Sequence, residues 1–114
     1  MALKLSKHAE GDVTVVEAVG RIVLGEETNI LREQVKAMLA SGSKKIVLNL
    51  GQVDFIDSSG LGALVGLHST AQAQGAKIRL ANITKRFHEL LLITKLLTVF
   101  DVYPSVAEAV RSFA

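Results

Sequence analysis

Apolar positions follow two different periods along the chain, and the first of these is a period of two. The segment ALKLSKHAE, residues 2–10, alternates weakly, and the β-branched run VTVVEAV, residues 13–19, follows it after Gly11 and Asp12. Two such runs joined by a glycine–aspartate pair are typical of a β-hairpin. The chain is therefore predicted to open with two antiparallel strands.

Helical spacing begins at Glu26, from which apolar residues recur every three or four positions up to the closing segment Ser41–Ser43. A further helix is predicted from about Ser58 to Gln74, with an apolar stripe of Leu61, Leu64, Val65 and Ala71. The remaining predicted elements are strands at 44–50, 77–82 and 98–102, a helix at 85–97 capped by Thr84, and a last helix that opens at the capping box Ser105–Glu108. This order predicts one α/β domain, with a mixed, mostly parallel β-sheet of about five strands packed with about four helices.

Composition and charge narrow the possible environments of this domain. The 114 residues are 49% hydrophobic and 21% charged, which is ordinary for a single globular domain spanning 1–114. The net charge is only +2, from 13 basic against 11 acidic residues, so no direct contact with nucleic acid is expected. No uncharged apolar run reaches the roughly 18 residues that span a bilayer. With no cysteine and no signal-peptide core at its start, the chain is expected to be cytoplasmic and not inserted in a membrane.

The junction VDFIDSSGLG, residues 53–62, carries the most distinctive chemistry. Asp57 is a good helix N-cap, which places Ser58 and Ser59 at the first two helical positions. Backbone N–H groups there lack helical partners, and the helix dipole favours negative charge. A phosphate on an exposed hydroxyl at this point would be compatible with the fold and would add about −1.5 to −2 charge beside Asp57.

Three glycines interrupt the helix that follows this junction. Gly60, Gly62 and Gly66 each lower helix stability by about 1 kcal/mol relative to alanine. Missing side chains let another backbone approach closely, which suits a docking surface. For Gly60, in a first turn expected to be exposed, the docking interpretation is favoured. For Gly66, close packing inside the domain is equally compatible with the sequence.

Enzyme chemistry finds little support in the sequence. A nucleophile elbow needs a glycine two residues before the serine, and Ile56 and Asp57 occupy those positions. The three histidines lie on separate predicted elements, and His68 falls on an apolar stripe, as expected of a satisfied core histidine. Metal-ligand spacings and phosphate-binding glycine loops are absent from the sequence. We expect no catalysis, no cofactor and no metal, with a small hydrolase using Ser58 or Ser59 as the remaining enzyme alternative.

The motif D-S-S-G-L-G at 57–62, inside KKIVLNLGQVDFIDSSGLGALVGL, resembles the signature of STAS domains. The segments GDVTVVEAVGRI and FDVYPSVAEAVRSF extend the likeness to stand-alone bacterial anti-sigma factor antagonists over nearly the whole chain. This resemblance implies a protein that binds an anti-sigma factor which is also a serine kinase. The kinase would phosphorylate Ser58 and be released, and a PP2C-type phosphatase would reset the antagonist. The resemblance further implies a partner-binding surface of Asp57, Ser59, Gly60, Leu61 and Gly62, with Ser59 supplying a capping or hydrogen-bonding hydroxyl.

One departure from the family pattern keeps a second interpretation open. Relatives carry Gly-Glu-Leu-Asp after their second strand, whereas this chain has Arg21 and Val23 at the acidic positions and its nearest carboxylates at Glu26 and Glu27. If that acid helps a kinase to dock or to hold magnesium, its absence favours a constitutive adaptor. Such an adaptor would be a subunit of a signalling assembly or of a lipid-transport ATPase, without phosphorylation.

A second candidate interaction surface lies in the segment FHELLLITKLLTVF, residues 87–100. The stripe from Phe87 through Leu90 and Leu91 is predicted to face the core. Four further apolar residues cannot all share that face: Leu92, Ile93, Leu96 and Leu97. They pack under the following loop, stay exposed for a partner, or are buried against the last helix.

Overall fold

The computed structural model describes residues 3–114, which form five strands and four helices in the predicted order. The strands are β1 (Leu3–Glu10), β2 (Val13–Ile22), β3 (Lys45–Ile56), β4 (Lys77–Ala81) and β5 (Asp101–Tyr103). The helices are α1 (Glu26–Ala40), α2 (Ser58–Ala73), α3 (Lys85–Ile93) and α4 (Val106–Arg111). The first strand was predicted from Ala2, which lies outside the described residues. In residues 3–114 no helix combines the length and apolar character needed to cross a membrane.

The strands form one mixed sheet in the order β1-β2-β3-β4-β5. β1 and β2 are antiparallel and are joined at Gly11 and Asp12, where Gly11 has a φ of 65° that glycine adopts without strain. The other three pairings are parallel, each with a helix in the connection. The predicted hairpin and the mostly parallel α/β sheet are both confirmed.

The central strand β3 is longer than the predicted strand at 44–50. Residues 46–49 pair with both β2 and β4, and the strand then continues beside β2 until Ile56 pairs with Ile22. This extension carries the chain to the end of the sheet where β2 also ends. Asp57 and the start of α2 therefore lie next to the loop that joins β2 to α1.

Apolar side chains pack on both faces of the sheet. The larger core lies between the sheet and helices α1, α2 and α3, and its fully buried members include Val16, Leu31, Ile46, Leu48, Leu64, Leu80 and Leu91. A smaller core lies under α4 and contains Val13, Val15, Val47, Ala81 and Ala109. The long α2 helix is thus held against the sheet by its apolar stripe, with its opposite face toward solvent.

Helix α3 ends four residues before the predicted Leu97. Lys95 adopts a φ of 62°, and the Leu96 N–H donates to the Leu91 carbonyl at 2.9 Å, which terminates the helix. Leu96 and Leu97 then pack partly against the larger core. By contrast, Leu92 and Ile93 are exposed, and their contact with a partner stays a prediction. None of these four residues belongs to the smaller core under α4.

Candidate functional site

The start of α2 is built on the carboxylate of Asp57. Asp57 has an extended backbone, and its Oδ1 accepts a hydrogen bond from the Gly60 N–H at 2.7 Å. The Leu61 N–H donates to the Asp57 carbonyl at 2.9 Å, which is the first hydrogen bond of the helix. The predicted N-cap is therefore confirmed, and the helix begins at Ser58 as expected.

The second oxygen of the same carboxylate holds a different part of the chain. Asp57 Oδ2 accepts a hydrogen bond from the backbone N–H of Leu24, in the loop between β2 and α1, at 3.0 Å. The Asp57 N–H also donates to the Ile22 carbonyl at 3.3 Å. Asp57 thus ties the end of β2 to the start of α2. No local sequence signal reports this contact, since Leu24 and Asp57 are 33 residues apart.

These contacts set the charge of the site. Hydrogen bonds from the Gly60 and Leu24 backbone N–H groups, in that order of effect, hold the pKa of Asp57 below its usual range. Both donors stabilise the charged form, and protonation would weaken both bonds. Asp57 is therefore an anion at neutral pH, placed directly beside the first serine of α2.

The two serines differ in exposure. Ser58 is exposed at the first position of α2, whereas Ser59 is partly buried. In the described part of the chain, neither side-chain hydroxyl makes a hydrogen bond, to a histidine or to any other group. The capping role that the resemblance implied for Ser59 therefore belongs to Asp57. An enzyme approaching from solvent can reach the Ser58 hydroxyl.

The expectation that Gly60 lies in an exposed turn is wrong. Gly60 is buried, and a Cβ built on it would collide with the backbone carbonyl oxygen of Ile22 at the end of β2. Glycine is needed here because two backbones approach each other closely. Leu61, which the resemblance placed in the contact surface, is only 5% exposed and belongs to the larger core. Neither residue presents a side chain to solvent, and both pack the start of α2 against the rest of the domain.

The other two glycines of α2 lie on its open side. A Cβ built on Gly62 or on Gly66 would meet no other atom within 4 Å. Close packing inside the domain therefore does not explain Gly66, which instead lines a groove beside Arg32 and Lys36 of α1. The outward face of α2 runs from Ser58 past these two glycines without a bulky side chain at either position.

The acids that follow β2 lie in the first turn of α1. Glu26 is exposed and Glu27 is partly buried, and both precede the body of the helix, where the dipole favours negative charge. Arg21 is exposed and Val23 is partly buried at the positions where the family resemblance led us to expect acids. Across residues 3–114, no group of three or more acidic or histidine side chains is arranged to hold a metal ion.

His68 lies far along α2 from this junction and is partly buried. Its ring contacts Phe100 edge-on, with 5.4 Å between the ring centroids. The buried Nδ1 has no hydrogen-bond partner among the described residues. The expectation that His68 is a core histidine with its hydrogen bonds satisfied is therefore only partly correct. The ring packs in the core as expected, but one of its nitrogens is left unpaired.

Comparisons with known proteins agree with this architecture. The family model described as "STAS domain" matches residues 4–109. The chain is 23% identical to the anti-sigma F factor antagonist of Paenibacillus polymyxa, over 96% of this chain and 93% of that protein. It is 32% identical to the anti-sigma-B factor antagonist of Bacillus subtilis, over 64% of this chain and 66% of that protein.

Solved structures show the same fold. The Bacillus protein SpoIIAA in its phosphorylated form aligns with a TM-score of 0.73 at 18% identity, over 99% of this chain and 100% of that one. Its unphosphorylated form aligns with a TM-score of 0.72 at 17% identity, over 97% of this chain and 96% of that one. At this level of identity the likeness concerns the fold alone. Since the family model covers almost the entire length, the chain belongs to the STAS domain family.

Proposed function

We propose that this chain is an anti-sigma factor antagonist that binds an anti-sigma factor through the surface around Ser58 and releases it when Ser58 is phosphorylated. The partner would be both anti-sigma factor and serine kinase, and a PP2C-type phosphatase would restore the unmodified form. The exchange would take place in the cytoplasm. The observation that carries this proposal is the exposed Ser58 hydroxyl at the first position of a helix capped by Asp57.

Phosphorylation at this position leaves the fold intact while changing its surface. The kinase would transfer the γ-phosphoryl group of ATP to the Ser58 oxygen, so that a P–O bond forms as the bond to ADP breaks, and a base of the kinase would take the hydroxyl proton. The helix dipole favours the resulting dianion by up to about 1 kcal/mol.

The energy needed for such a switch is modest. A contact that becomes less favourable by about 2–3 kcal/mol lowers affinity about 30- to 150-fold. A phosphate brings about two negative charges and three acceptor oxygens to a surface that a partner must desolvate. Because Ser58 follows the Asp57 carboxylate directly, the modified surface would carry both anions side by side.

The proposal is tested by phosphorylation and binding with purified anti-sigma factor kinases encoded by the organism that carries this chain. With ATP and Mg²⁺, intact-mass measurement should show the addition of one phosphate, mapped to Ser58 and absent from Ser58→Ala. Ser58→Ala should bind the kinase as the unmodified protein does, and Ser58→Asp should bind much more weakly. Equal binding of both variants without phosphate transfer would refute the switch and favour the constitutive adaptor.

A further inference from the structure

The most informative feature outside the predicted motif is the side chain of Leu24. Among residues 3–114, the two most exposed large apolar side chains are Ile93, at 78%, and Leu24, at 74%. A single exposed leucine is common on protein surfaces. Leu24 differs because its own backbone is hydrogen-bonded to the carboxylate that caps the Ser58 helix.

The loop that carries Leu24 is fixed on both sides. Before it, the Ile22 carbonyl accepts a hydrogen bond from the Asp57 N–H at 3.3 Å. After it, the Gly25 carbonyl accepts the Asn29 N–H at 3.2 Å and the Thr28 hydroxyl at 3.1 Å. An apolar side chain on an immobilised backbone loses little backbone freedom on binding, which is the property of a preorganised anchor.

We propose that Leu24 is the apolar anchor of the partner-binding surface, that it enters an apolar pocket of the anti-sigma factor, and that Asp57 positions it beside Ser58. This inference rests on the proposed function and adds the chemistry of the contact. The partner is recognised by an apolar pocket adjoining the place where it meets the Ser58 hydroxyl.

The arrangement also gives a physical reason why the proposed phosphorylation of Ser58 would weaken binding. Asp57 is bonded to the Leu24 backbone and precedes Ser58, so the anchor and the modified hydroxyl belong to one continuous surface. A partner that buries Leu24 must desolvate the neighbouring groups as well. A dianion at Ser58 therefore opposes burial of Leu24.

The first test compares two exposed aliphatic residues. The dissociation constant of the unphosphorylated protein for the purified anti-sigma factor kinase is measured by calorimetry, together with those of Leu24→Ala and Val19→Ala. Loss of a buried leucine side chain should weaken binding about 30-fold for Leu24→Ala. The control Val19→Ala, on β2 and outside both candidate interaction surfaces, should stay within about twofold, and Leu24→Met should retain affinity within about threefold because it keeps the apolar volume.

The second test asks whether Asp57 acts through Leu24. A double-mutant cycle combines Asp57→Ala with Leu24→Ala and measures binding of all four proteins. If Asp57 positions Leu24, Asp57→Ala should weaken binding much less in the Leu24→Ala protein than in the unsubstituted protein. Amide hydrogen exchange at Leu24 should also accelerate in Asp57→Ala. Additive effects on affinity, or unchanged exchange at Leu24, would overturn the positioning role.

The outcomes separate this inference from the function on which it rests. If the unphosphorylated protein binds a kinase and Ser58→Asp does not, the proposed function stands. If Leu24→Ala then binds as tightly as the unsubstituted protein, the anchor is refuted by itself. If no anti-sigma factor kinase of the organism binds the unmodified protein, both proposals fail together.

Discussion

Alanine substitutions at Gly60 and Gly62 should change the stability of α2 in opposite directions. The two glycines are two residues apart in one helix, and alanine is the better helix former at both positions by about 1 kcal/mol. Their surroundings differ completely. A Cβ at Gly60 would collide with the Ile22 carbonyl, and a Cβ at Gly62 would enter open space.

The magnitudes follow from these surroundings. Gly62→Ala should raise the free energy of unfolding by about 0.5–1 kcal/mol, because it gains helix propensity and strains nothing. Gly60→Ala should lower it by about 1–3 kcal/mol or more, since the obstacle is backbone at the end of β2, not the end of a flexible side chain. Moving this backbone would also disturb the Asp57 cap.

Urea denaturation followed by circular dichroism measures both changes. Gly66→Ala serves as the matched control, since its added Cβ also meets open space. Gly62→Ala and Gly66→Ala should shift the midpoint upward, and Gly60→Ala should shift it downward or leave the protein unfolded. A stable Gly60→Ala variant, or a destabilised Gly62→Ala variant, would show that the approach of β2 to α2 is described incorrectly.

Three further predictions concern pH and helix caps. Because folding lowers the pKa of Asp57, the contribution of this residue to stability is present above the unfolded pKa of about 4 and is lost as pH falls through the lower folded value. An NMR titration in which the pKa of Asp57 is equal to or higher than that of an ordinary aspartate would contradict this. Ser105→Ala should destabilise the protein by about 1 kcal/mol, since the Ser105 hydroxyl accepts the Glu108 N–H at 3.1 Å, and thermal unfolding checks it against Ser105→Asp, which should retain the cap. Thr84→Ala should lower the free energy of unfolding by a similar amount, because the Thr84 hydroxyl accepts a hydrogen bond from the Phe87 N–H at 3.2 Å at the start of α3. An unchanged midpoint of urea denaturation in Thr84→Ala would refute this cap.

Local patterns in the sequence were sufficient for the order of the elements and for three of the helix caps. Asp57, Thr84 and Ser105 were all predicted as helix caps, and each accepts a hydrogen bond from the N–H three residues later. Such caps depend on a few adjacent residues, so the sequence reports them directly. The helical stripe likewise placed Leu61 toward the core, where the structure has it, although the family resemblance counted it as surface.

Features that depend on distant parts of the chain could not be predicted. Gly60 is buried by the carbonyl of Ile22, and the Leu24 loop is held by Asp57, two contacts between segments more than 30 residues apart. The end of α3 is set by the left-handed conformation of Lys95. Lysine, unlike glycine, is not a residue that indicates a helix end in a sequence. The sequence thus identified Ser58 as a candidate phosphorylation site but not the contacts that position it.

Ser58 as the switch is tested most directly by comparing the affinity of the two chemical forms of the unsubstituted protein for one purified anti-sigma factor kinase. The fully phosphorylated form, verified by mass and mapped to Ser58, is titrated against the kinase in parallel with the phosphatase-treated form. The account predicts that phosphorylation lowers affinity about 30-fold or more while the circular dichroism spectrum stays unchanged. Equal affinity of the two forms would contradict it.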